Sequence, residues 1–264
     1  MPALTTPRIV LPVLLALCGH SASALQPLIT DDTGTQGAAG HQLELAWSRE
    51  RLHAGPARDS ARTWTPTYTY GATDTLDLFA SLGHTRLRGD SGSARGWGNA
   101  VLGAKWRFWA NEATGTSLAL KPELVLPVSV QREAQGLGTS RLSGQATAIV
   151  SQELPFGALH ANLMLGRERH HDSDHAQATL TRASLAPVWN LGAQWKLVAD
   201  LGVEQRRERG SSTRTRFAEL GAIYSPTERL DWAVGVVRAR ADDPQRSTAT
   251  TLTAGLTWRF GTAP

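Results

Sequence analysis

From His41 onward, apolar residues recur at every second position. Leu43, Leu45 and Trp47 alternate with Gln42, Glu44 and Ala46. In TWTPTYTY, Thr63, Thr65, Thr67 and Thr69 share one face, and Trp64, Pro66, Tyr68 and Tyr70 share the other. Leu76, Leu78, Ala80 and Leu82 oppose Asp77, Phe79, Ser81 and Gly83, and Ala100 to Phe108 oppose Asn99 to Arg107 in the same way. The pattern continues through segments near 118–126, 142–151, 159–166, 178–189, 195–204, 218–224, 230–236 and 250–260. Period-two alternation marks strands with two unlike faces. Twelve such strands are predicted, each near the roughly 9–11 residues that a tilted strand needs to cross a bilayer.

The spacing between them alternates as well. Short connections (GATD, NEATGT, LPFG, the stretch at Asn190 to Gly192, and SPTE) are interleaved with longer charged ones near 53–61, 86–96, 128–140, 168–177, 206–214 and 240–248. Short turns on one side and long loops on the other characterise outer-membrane barrels. An even strand number places both ends of the chain on the short-turn, periplasmic side. Aromatic residues gather beside the short turns: Tyr70, Trp106, Trp109, Trp189, Trp195, Tyr224, Trp232, Trp258 and Phe260, with Tyr68, Phe108 and Phe156. Strands that alternate up and down carry these residues to one height, as a girdle at the inner membrane interface. A soluble sandwich would bury its tryptophans at mid-strand instead. The expected fold is therefore all-β: a transmembrane, antiparallel, up-and-down barrel of about 12 strands spanning 41–260.

Composition adds boundaries. Arg8, the apolar run Ile9 to Cys18 and the small residues Ala22-Ser23-Ala24 read as a secretory signal peptide over 1–24. Residues 25–40 form a periplasmic or lumen-entering segment, and 261–264 a short tail. The one cysteine, Cys18, lies within the expected signal, so the remaining chain has no disulfide and no thiolate chemistry. Without Arg8 the balance is 26 basic against 23 acidic residues, a charge of +3, too mild to indicate nucleic acid.

The opening LQPLITDDTGTQGAAGHQLELAWS resembles the start of a family of outer-membrane proteins associated with meta-pathway phenol degradation and called transporters. YGATDTLDL, GNAVLGAKWRFW, LALKPELVLP, LHANLMLG, LVADLG and GLTWRF follow in the same order. The resemblance implies a small outer-membrane barrel that passes small, aromatic or hydrophobic compounds. It implies no catalytic residues.

The face opposite the apolar one collects charge: Glu44, Asp77, Lys105, Arg107, Lys121, Glu123, Lys196, Asp200, Glu204, Glu219, Asp231 and Arg259. These line the lumen in the expected fold, either as a mixed-charge polar channel or as paired charges that fill a closed barrel. Asp31-Asp32 reads as a terminal turn or part of a lumen-entering peptide, in preference to a catalytic or calcium-binding pair. In ERHHDSDHA, His170, His171, Asp174 and His175 have residue types that suit a divalent metal or a hydrolase, but a loop is a poor preorganised site for either. Arg86, Arg88 and Arg95, and Arg206, Arg207, Arg209 and Arg214, are expected in outer loops, either solvated or paired with lipopolysaccharide phosphates.

The expected protein is thus a bacterial outer-membrane channel for passive passage of small solutes, with no cofactor and no nucleic-acid partner. Its partners would be membrane lipid and lipopolysaccharide, the barrel-assembly machinery and the solute itself. The alternatives are a closed structural or surface-binding barrel and an outer-membrane hydrolase.

Overall fold

A computed structural model describes residues 27–90, 92–171 and 177–261. The expected signal peptide and all of the tail except Gly261 lie outside these residues. Twelve strands form one closed antiparallel barrel: β1 (Gly40–Ala54), β2 (Ala57–Thr73), β3 (Leu76–Gly89), β4 (Gly92–Asn111), β5 (Thr116–Val125), β6 (Ser143–Leu154), β7 (Gly157–Arg169), β8 (Gln177–Asn190), β9 (Trp195–Glu208), β10 (Ser211–Thr227), β11 (Leu230–Ala241) and β12 (Thr248–Gly261). Neighbours in sequence are neighbours in space. The ring closes where β1 pairs with β12, from Gly40 opposite Gly261 to His53 opposite Thr248. Closure leaves no free sheet edge, the condition for crossing a bilayer with strands.

The surface is inside-out. Asp77 and Asp200 are 0 % exposed, whereas Leu201 and Leu220 are 58 % and 61 % exposed. Period-two alternation produces this directly: each strand turns most of its leucines and aromatics outward, toward lipid, and the intervening residues inward. All nine residues of the expected girdle lie on the outward face near the short-turn ends. Trp195 packs on Tyr224, Trp258 stacks on Phe260, and Phe260 stacks on His41 across the closing seam.

Three of the expected long loops are strand instead. Segments 53–61, 86–96 and 206–214 continue the sheet, and strands reach 20 residues in β4. β1 joins β2 through Gly55 and Pro56 alone, and β9 joins β10 through Arg209 and Gly210. Gly55 and Gly210 take the left-handed φ values of 60° and 76° that such tight turns require. The alternation there had been masked by arginines at the outward positions. Beyond the hydrocarbon core an outward position can carry a cation, so the sheet continues where the apolar signal stops.

The β5–β6 connection folds back over the barrel's outer end and holds one short helix, α1 (Val130–Ala134), capped by Ser129. The Asn99 side chain pins this loop, donating to Leu126 O and Thr139 O and accepting from Thr139 N–H. Leu137 from the loop is buried among Leu52, Ala61, Leu87, Phe217, Val237, Ala239 and Ala249 on the inner walls.

Candidate functional site

Residues 27–39 have no strand partner, yet Leu28, Thr30, Asp31 and Thr33 are buried. Their contacts place them inside the barrel. Leu28 packs among the inward side chains Ala186, Val188, Val198, Ile223 and Ala233. The backbone N–H groups of Ile29 and Thr30 both donate to Asp200 Oδ2, at 3.0 and 2.6 Å. The Thr30 hydroxyl lies 2.6 Å from Ser184 Oγ and 2.8 Å from Asp200 Oδ1. Thr33 N–H donates to Ser151 Oγ, and its hydroxyl meets Ser117 Oγ at 2.6 Å. Gln36 N–H donates to Asp77, and Ala39 N–H to Gly71 O at the rim. One short segment therefore touches β9, β8, β6, β5, β3 and β2 in turn, crossing the lumen and rising from the periplasmic end.

The segment's main charged anchor is Asp31. Lys121 Nζ lies 2.8 Å and Lys105 Nζ 3.4 Å from its carboxylate, and all three side chains are buried. Asp32 adds a longer contact of 3.6 Å to Lys105. In the amide orientation that satisfies both partners, Asn162 accepts from Asp31 N–H at 2.7 Å and donates to Asp31 O at 3.0 Å. A buried charge is tolerable only when paired and hydrogen-bonded. Here strand and segment supply the two halves of that pairing, so neither is electrostatically complete without the other. Space is provided too: a Cβ at Gly221 would lie 2.5 Å from Pro27, and one at Gly235 would lie 3.0 Å from it.

The twelve inward charges predicted from sequence thus divide by role. Asp77, Lys105, Lys121 and Asp200 hold the segment. Glu123 accepts from Gln145 and lies 4.0 Å from Lys121. Glu204 pairs with Arg182 at 2.6 Å. Glu44 and Glu219 are buried on the inner wall. Arg107, Lys196, Asp231 and Arg259 are half-buried near the periplasmic rim, where Arg259 pairs with Asp231 at 2.7 Å and Arg107 donates to Asp74 O. Arg206 corrects the sequence reading. It points inward from β9 and pairs with Glu168 and Glu208, so it is not an outer-loop cation.

Charge is not spread evenly through the lumen. Beside β10 to β3 the outer half holds an apolar cluster around Leu137 and Phe217, with Ile29 packed beneath it and Glu50 and Thr251 buried on the same wall. Open space follows the opposite wall. One cavity beside the segment is lined by Asp31, Lys121, Gln145, Asn162 and Arg182. A second, under the β5–β6 loop, is mainly apolar, with Val125 and Leu180 beside Thr139, Gln145 and Glu168, so Gln145 borders both.

His160, Ser151, Asn162 and Arg182 join the site although sequence had not singled them out. Their inward parity was readable, but their partner, the segment, was not. Ser151 lies 2.9 Å from His160 Nδ1 while its oxygen accepts from Thr33 N–H. That hydroxyl is engaged in docking rather than poised as a nucleophile. On the outer side, His170 lies 3.9 Å from Glu133 and 3.6 Å from Glu168. His171 N–H donates to Glu133. Asp174 and His175 lie outside the described residues, and among those described no group of three metal-ligating side chains assembles.

Glu133 ties the loop to β7. Burial pushes its carboxyl up, but the N–H groups of Ser140 and His171 outweigh this and hold it below its ordinary 4.5. A depressed carboxylate stabilises the docked loop above the ordinary value, and the contribution is lost as pH falls through the lower, docked-state value. A spin label at Gln135 should keep one mobility down to about pH 5 and loosen only in stronger acid. Loosening near neutrality would assign the hold to a histidine instead.

A closed barrel with an apolar outer surface and an aromatic girdle belongs in the bacterial outer membrane. Solved structures of such barrels share the fold. An outer membrane channel from Pseudomonas putida F1 superposes with a TM-score of 0.70 at 16% identity, covering 87% of this chain and 98% of that one. The β domain of the Bordetella autotransporter BrkA gives 0.55 at 16% identity, covering 84% and 100%. The NanC porin gives 0.53 at 7% identity, covering 81% and 98%. No curated protein matches the chain. A family model described as "Putative MetA-pathway of phenol degradation" matches residues 31–260, from the Asp31 anchor to the last girdle aromatic, and the chain belongs to that family.

Proposed function

We propose that the protein is a passive outer-membrane channel for small, apolar or aromatic solutes, with residues 27–39 as its internal plug. One observation carries this reading: Leu52, Leu87, Leu137, Phe217 and Val237 form an apolar cluster inside the lumen. A water-filled porin lines its lumen with polar groups, whereas an apolar interior offers a greasy solute somewhere to partition. The sequence carries no phosphate-binding loop, so passage runs down the solute's gradient. The role is non-catalytic, in keeping with the engagement of Ser151 and His160 in docking the segment.

The packed lumen also favours a second reading, a closed barrel without transport. Flux into proteoliposomes separates the two. With the full chain, aromatic acids and medium-chain fatty acids should enter faster than sugars of similar mass. Exclusion of every solute would support the closed barrel, and faster entry of sugars would contradict the apolar pathway.

A further inference from the structure

The outer surface carries a feature that solute passage does not use. Arg49 on β1 lies directly opposite Arg62 on β2, Arg62 opposite Arg86 on β3, and Arg86 opposite Arg95 on β4. All four face outward, because the alternating residues Leu52, Ala61, Leu87 and Ala94 belong to the lumenal cluster. One step nearer the turns, Arg51, Ser60, Arg88 and Ser93 form a second row. One step nearer the membrane, Trp47, Trp64, His84 and Trp97 form a third in the same register. Trp64 and Trp97 are 49 % and 45 % exposed.

Like charges directly opposite on adjacent strands destabilise a sheet. Four in one row, with two more above, call for counter-charge. The protein does not supply it: among the described residues none of these six arginines makes an ion pair, and Arg49 Nε is buried without an acceptor. The outward positions of β1–β4 at this height hold no Asp or Glu. The tryptophan row fixes the level, since exposed tryptophans gather where hydrocarbon meets headgroup. The arginines therefore stand just above the outer hydrocarbon boundary, in the layer of lipid phosphates. Guanidinium groups bind phosphate oxygens in bidentate pairs.

We infer that the β1–β4 face is a docking site for one lipopolysaccharide molecule, whose lipid A phosphates span the arginine ladder while its acyl chains lie on Trp47, Trp64 and Trp97. The occupant must carry at least two phosphates above an acyl anchor, because the cations form a row several strands wide rather than a single point.

The test uses the full chain in detergent, titrated with diphosphoryl lipid A and read by native mass spectrometry. One lipid A should bind per barrel. The double variant R62Q/R86Q should weaken it by roughly tenfold or more, whereas R167Q/R169Q, which removes the same charge from β7, should leave it unchanged. Phosphatidylglycerol and inorganic phosphate should bind more weakly than lipid A. Equal affinity in R62Q/R86Q, equal loss in the β7 variant, or equally tight phosphatidylglycerol or phosphate would overturn the site. A wild-type dimer dispersed by R62Q/R86Q, with lipid A binding unchanged, would assign the face to a protein partner. If the double variant fails to fold, R86Q is read in the same assay against the same outcomes.

Discussion

Deleting residues 27–38 should raise the conductance of the purified barrel in planar bilayers several-fold. The deletion removes the segment that fills the periplasmic half of the lumen but leaves every strand intact, since β1 begins at Gly40 and its closing ladder with β12 begins there too. What remains is a path along β5–β8, where two cavities already border Gln145. A barrel of 12 strands lies between the side-chain-filled barrels of eight and the open channels of sixteen or more. Its interior is wide enough for water only where nothing else occupies it. The apolar cluster around Leu137 stays in place and keeps the opened pore narrower than a general porin. Conductance unchanged from the full chain would mean that the constriction lies in that cluster and not in the segment.

Asp31→Asn should release the same segment without unfolding the barrel. The substitution leaves the Lys105 and Lys121 ammonium groups buried beside a neutral amide. Removing one partner of a buried ion pair costs about 3–5 kcal/mol, because the remaining charge stays desolvated. The lower figure applies here, as Lys105 keeps Asp32 and Lys121 keeps Glu123 as longer-range partners. The segment is held mainly by short polar contacts, so a loss of this size should undock it. The twelve strand ladders share no hydrogen bond with Asp31 and should persist. Amide hydrogen exchange should therefore quicken across 28–36 and stay slow in β1–β12, while unboiled samples keep their shifted gel mobility. Loss of the mobility shift would show that the segment is needed to build the barrel, not merely to fill it.

Much of the fold could be read from the sequence because one rule generates it. Leu43, Leu78, Leu102 and Leu201 face lipid for the same reason that Glu44, Asp77, Lys105 and Asp200 do not: adjacent residues of a strand point to opposite faces. That rule fixed the strand number and the direction of most side chains, while Trp109 reaches the girdle only through the irregularity after Arg107. It failed where the environment changes along a strand. Outward positions above the hydrocarbon core are mostly arginine or serine, so β1 to β4 read as loop near their outer ends although the pairing continues. It was silent where contacts have no period. Nothing local to Asp31 indicates that Lys105 and Lys121 will meet it, because those residues are 74 and 90 positions away. Leu137 is one apolar residue in a Gly-rich loop, and only the folded barrel shows the cluster it completes. Likewise, the arginine ladder is a property of register: Arg49, Arg62, Arg86 and Arg95 look scattered in the sequence until the strands are set side by side.

A reversible lock on the segment tests directly whether it occludes the lumen. The chain beyond the expected signal has no cysteine, and Thr30 Oγ1 lies 2.6 Å from Ser184 Oγ. Cysteines at both positions can reach disulfide geometry with little movement. In proteoliposomes, the Thr30→Cys, Ser184→Cys protein should cross-link under mild oxidation and lose aromatic-acid flux, and reduction should restore it. Equal flux in the oxidised and reduced protein, with the cross-link confirmed, would contradict the account and place the solute's route elsewhere.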